Sequence, residues 1–166
     1  MSLSSFASLV AFGLVLLGAA IVQVGVVPAI FLDAFGAPVL PVAVLAAWAA
    51  SRGVETTWAW AVPLALLLGS VSEMRAGWFV LALIPTPLLV AAIRARTPTI
   101  PTTMLAAAGG AVAYVSTLTL AANRLPLLSS ALDATMRGAV LTALAGLVVA
   151  VALVPLRPRE RGLFRS

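Results

Sequence analysis

Few side chains in this chain are able to do chemistry. There are five carboxylates (Asp33, Glu55, Glu73, Asp133 and Glu160), ten arginines, a single tyrosine and scattered hydroxyls. Histidine, cysteine and lysine are absent from the sequence. That inventory removes thiol nucleophiles, disulfides, Cys/His metal sites, imidazole acid–base catalysis and a phosphate-loop lysine together. A catalytic divalent metal needs acids in groups, and the five here stand singly along the chain. No catalysis, cofactor or metal is expected. Opposite charges come together with almost no loop around them in the stretch Gly69-Ser70-Val71-Ser72-Glu73-Met74-Arg75-Ala76-Gly77. Long apolar runs flank it on both sides, so Glu73 and Arg75 are costly unless they face protein, headgroups or each other. Glu73 and Arg75 are therefore the candidate functional residues, as an ion-paired turn or as a contact for a partner, with Gly69 and Gly77 bounding the knot.

The elements that position this knot are membrane helices. Of 166 residues, 63% are hydrophobic and 9% charged, with mean hydropathy +1.16. A soluble domain carries about 25% charged residues, so the chain reads as an all-α integral membrane protein. At about 20 residues per crossing, its length holds a polytopic bundle of five or six helices. Residues 1–166 then form a single transmembrane domain. The net charge of +5 comes from arginines at the ends of apolar runs, which fits membrane orientation better than nucleic-acid binding.

Six spans are expected. The first, residues 4–32, is long enough to tilt and carries Pro28 as a late kink; its one strongly polar residue, Gln23, is read as a hydrogen-bond partner for a neighbouring helix. The second, residues 35–51, has Pro38 and Pro41 in its first half, which predicts an irregular or re-entrant approach. Trp48, one turn before Arg52, is placed at an interface, with Trp58 and Trp60 beside it. Thr56 or Thr57 is expected to cap the third span, residues 57–72, where Ala61, Ala65, Gly69 and Glu73 recur every four residues. The fourth, residues 77–95, is interrupted by Pro85-Thr86-Pro87, a kink that shapes packing or walls a cavity. The fifth, residues 102–123, carries Ala106, Gly110 and Tyr114 on one face. Residues 124–136 read as a surface loop, and the sixth span, residues 137–156, bears a helix-packing stripe of Gly138, Thr142, Gly146 and Ala150. With six spans and the N-terminus inside, Arg52, Arg94, Arg96, Arg157, Arg159, Arg161 and Arg165 fall in the cytoplasm. Only Arg75, Arg124 and Arg137 fall outside, so both termini are expected to be cytoplasmic.

The knot, together with Gln23, the Ala-Pro-Val-Leu-Pro start of the second span and the basic tail, resembles the rod shape-determining protein MreD family. That family tends to read G-x-x-x-D-x-x-S-G between two spans. Gly69 and Gly77 match; Glu73 stands where the family usually has Asp, and Ala76 where it usually has Ser. Trp78-Phe79-Val80 replaces the Pro-Leu-Gly that often follows. The resemblance implies a bacterial inner-membrane protein with a non-catalytic scaffold role in cell shape and peptidoglycan elongation. Its implied partner is an MreC-type protein, and through it a RodA glycosyltransferase and a penicillin-binding transpeptidase. The family is similar in outline to substrate-binding subunits of energy-coupling-factor transporters. A transporter using the two proline breaks as cavity walls is the alternative reading, although no carboxylate lies deep in a span to couple protons.

Overall fold

The computed structural model describes residues 3–31, 36–72, 74–94, 98–122 and 128–153. Among them no strand occurs, and the helices run α1 Leu3–Gly25, α2 Val27–Ile30, α3 Leu40–Arg52, α4 Val54–Ser70, α5 Ala76–Leu83, α6 Pro85–Arg94, α7 Thr99–Ala121 and α8 Leu128–Ala152. Four segments are long and apolar enough to cross a bilayer: Ser8–Ile30, Ala76–Arg94, Thr99–Ala121 and Leu132–Ala152. Large aliphatic side chains cover the rim, Val148 being 68% and Leu14 65% exposed. In water that rim would be heavily penalised, whereas lipid tails are as apolar as leucine. This is the all-α bundle of a membrane protein.

A helix of only 13 residues, α3, lies at the centre. Every residue of α3 from Pro41 to Ala50 is buried, and α1, α4, α6, α7 and α8 all pack on it. Its sequence, Pro-Val-Ala-Val-Leu-Ala-Ala-Trp-Ala-Ala, is apolar all round and mostly small, which is what a helix needs when neighbours surround it. By contrast, α1 is peripheral and buries one narrow stripe, Phe12, Leu16 and Ala20, spaced by single helical turns.

Each chain break has a local cause. Pro28 cannot donate to the preceding turn, and the helix interrupts at Val26, two residues earlier than the proline itself. The second break falls at Ile84, immediately before Pro85-Thr86-Pro87. Gly53, at φ +112° and ψ 155°, makes the corner between α3 and α4. That region is reserved for glycine, because a Cβ there collides with its own backbone.

Three expectations are corrected. Thr56 and Thr57 do not cap α4: the helix starts at Val54, and both hydroxyls sit inside its first turn, donating to the Gly53 carbonyl at 3.1 Å each. Trp48 is buried in the bundle, 3% exposed, rather than set at its surface. The stretch read as a surface loop is helical from Leu128 onward, so α8 begins nine residues earlier than residue 137. Leucine, alanine and methionine in that stretch are good helix formers, and they outweigh its Ser129, Ser130 and Asp133.

Candidate functional site

The irregular approach to α3 is where the bundle concentrates its polar interactions. Residues 36–39 are not helical, yet Gly36, Ala37 and Val39 are buried. Backbone donors at such depth must find partners inside the protein. Two side chains from distant helices supply them. Thr142 Oγ1 on α8 accepts the Val39 N–H at 2.9 Å and donates its own proton to the Gly138 carbonyl at 2.6 Å. Gln23 Oε1 on α1 accepts the Leu40 N–H at 2.8 Å. Pro41 follows with no N–H to satisfy, which shortens the list of orphan donors at this helix start. Thus α1 and α8 are tied together through the first residues of α3.

The α8 stripe has a second function beside this bond. Gly138, Thr142, Gly146 and Ala150 are all buried. A Cβ added at Gly146 would lie 3.2 Å from Ala107 Cβ and 3.4 Å from Thr103 Cγ2 on α7, and 3.8 Å from the Ala43 carbonyl on α3. The small residues therefore let three helix backbones close on one another, while Thr142 pins the break.

At the Pro85-Thr86-Pro87 break, Thr86 and Pro87 are buried and Pro85 is half-buried. The Thr86 side chain is pressed against Gly110 of α7, so closely that any side chain at 110 would overlap it. Among the described residues its hydroxyl has no hydrogen-bond partner. The glycine expected on the α7 face thus accommodates the proline break, and Ala106, Gly110 and Tyr114 are buried together on that face.

The knot divides into a described and an undescribed part. Glu73 lies outside the described residues, as do Asp33, Arg96, Arg124 and the basic tail. Gly69 meets Ala76 at backbone contact: a Cβ there would lie 2.6 Å from Ala76 Cα and 2.7 Å from its Cβ. Ala61 and Ala65, earlier on the same stripe, are buried. The α4–α5 corner is therefore a tight hairpin that excludes a side chain at 69. At Gly77 an added Cβ would meet nothing within 4 Å, and this residue is exposed, as is Arg75. Ser72 Oγ accepts the Met74 N–H at 3.2 Å, closing the turn.

An aromatic group missed at sequence level fastens α1 to the bundle. Phe12 stacks on Trp48 with centroids 4.1 Å apart and planes at 13°, and meets Trp60 edge-on at 6.2 Å. The Trp60 ring lies on Gly13 so closely that no side chain fits there. Trp48 Nε1–H donates to Thr56 Oγ1 at 3.1 Å, and the Arg52 guanidinium lies over the Trp48 ring at 5.5 Å. The signal available in the sequence was the four-residue register of Phe12, Leu16 and Ala20 beside Gly13. Comparison with known proteins gives no match, whether among family models, curated sequences or solved structures.

Proposed function

We propose that this chain is a non-catalytic membrane subunit of the MreD kind, docking on an MreC-type partner in the bacterial inner membrane during cell elongation. The observation that supports a scaffold over a carrier is that two donors at the start of α3 are satisfied from within the bundle. Carriers use broken helices to aim free backbone groups at a substrate, whereas here Thr142 accepts from Val39 N–H and Gln23 from Leu40 N–H. Six crossings with cytoplasmic termini belong to the same proposal. Helix α3, with 13 residues, spans about 20 Å, short of a bilayer core of about 30 Å. In this reading its buried, non-helical approach, residues 36–39, completes the crossing. The alternative, a substrate-binding transporter subunit, draws on the unpartnered Thr86 hydroxyl beside the second break. The test is co-expression of the tagged chain with an MreC-type protein. Stoichiometric co-purification supports the docking reading. A chain that purifies alone, and instead retains a small solute or a coupling ATPase, supports the transporter.

A further inference from the structure

Two arginines from separate elements converge at one corner of the bundle. Helix α3 ends in Arg52, α4 starts after Gly53, and α6 ends in Arg94. Arg94 is exposed, yet its guanidinium turns back over this corner: a Cβ built on Gly53 would lie 3.7 Å from Arg94 Nη1. The guanidinium of Arg52 rests on the Trp48 ring, which is itself held by Thr56. Trp58, two residues further along α4, is 36% exposed at the same end. Glu55 is exposed in the first turn of α4, where the helix dipole favours a carboxylate. Arginines in last turns also suit the dipoles of α3 and α6. That effect does not require the Arg94 side chain to turn back toward Gly53, the residue that follows Arg52.

We propose that this corner binds the headgroup phosphate of an acidic glycerophospholipid, with Arg52 and Arg94 as its two charged contacts. Guanidinium forks match phosphate oxygens in pairs, and basic clefts between membrane helices take anionic headgroups. Free phosphate offers the same oxygens without acyl chains. The lipid is the source because Arg94 closes a membrane-crossing segment, Ala76–Arg94, where the phosphates at hand belong to headgroups. This inference stands apart from the docking proposal and survives its failure.

The experiment is native mass spectrometry of the whole chain released from micelles doped with phosphatidylglycerol or phosphatidylcholine. Phosphatidylglycerol is retained in preference to phosphatidylcholine. Arg94→Gln lowers that preference by about fivefold, Arg94→Lys keeps most of it, and Glu55→Gln raises it. Arg137→Gln leaves it unchanged, because on α8 it is Gly146 that faces Thr103 and Ala107 near the start of α7, and Arg137 lies nine residues earlier on α8. Gel filtration checks that each variant is folded. Should Arg94→Gln misfold, the wild-type preference is titrated with salt, and it must fall as ionic strength rises. Equal retention of the two lipids, an unchanged preference in folded Arg94→Gln, or a salt-independent preference overturns the proposal. So does inorganic phosphate that displaces phosphatidylglycerol at equal concentration, since the site would then not be a lipid site.

Discussion

Replacing Thr142 by valine removes one oxygen and almost no volume, and so isolates the bond that pins the central break. In the native bundle that oxygen accepts the buried Val39 N–H and donates to the Gly138 carbonyl. The carbonyl keeps its place in the helix ladder, so the main loss falls on Val39. A buried N–H left without a partner costs about 1–3 kcal/mol. Interhelical hydrogen bonds in membranes average nearer ~0.6 kcal/mol, because the unfolded chain also finds partners in the bilayer. The Val39 donor sits in a non-helical segment surrounded by apolar side chains, which offers few substitutes. The expected cost is therefore about 1–2 kcal/mol. Thr117→Val is the control: its hydroxyl donates only to the Ala113 carbonyl one turn back on its own helix, at 2.8 Å. That change should cost under about 0.5 kcal/mol. Reversible unfolding in mixed micelles measures both, and hydrogen exchange at Val39 should accelerate in Thr142→Val alone. Equal stability of the two variants, with Val39 protected as before, would refute the assignment of Thr142 as the pin.

Gly146→Leu should damage the bundle more than Leu141→Ala, because the larger side chain drives into Ala107 and Thr103 while Leu141 is half-buried; overpacking of this kind costs about 1–3 kcal/mol or more, and equal folded yields in detergent would argue against the close contact. Gly69→Ala should destabilise the α4–α5 hairpin, since Ala76 backbone cannot move aside cheaply, whereas Gly77→Ala should be neutral or gain up to about 1 kcal/mol from helix propensity. Thermal unfolding of the pair decides, and a harmless Gly69→Ala would remove the steric argument. The chain lacks cysteine, so Glu55→Cys and Arg159→Cys report topology cleanly. Neither should react with a membrane-impermeant thiol reagent in intact cells, and labelling of either contradicts six crossings with cytoplasmic termini.

Much of the bundle's framework is legible from the apolar runs and their prolines. The approach to α3 is irregular, as Pro38 and Pro41 require, and the second break falls immediately before Pro85-Thr86-Pro87. Gln23 makes the helix-bridging hydrogen bond its isolation implied, and the Gly138-Thr142-Gly146-Ala150 stripe is buried at close helix contacts. What the sequence hid is long-range pairing. Thr142 reads as one more small residue in a packing stripe, because its partner Val39 lies 103 positions away. Trp48 sits near Arg52 and reads as interfacial, yet α1 lays Phe12 over it and the ring is buried in the bundle. The start of α8 was obscured because Ser129, Ser130 and Asp133 look like loop residues, while the leucines, alanines and methionine around them favour a helix. The two knot glycines read alike and differ in the fold: Gly69 is sterically required by Ala76, and Gly77 is not.

The proposed docking, if it uses the knot that carries the family resemblance, is tested most directly by a double-mutant cycle with Glu73→Gln and Arg75→Gln, read first as folded yield and then as co-purification with the MreC-type protein. If the two charges only neutralise each other, Glu73→Gln leaves a guanidinium unpaired and removing both restores most of the loss. The docking account predicts instead that Glu73→Gln and the double variant fold and both fail to bring down the partner. Wild-type co-purification by folded Glu73→Gln would contradict it.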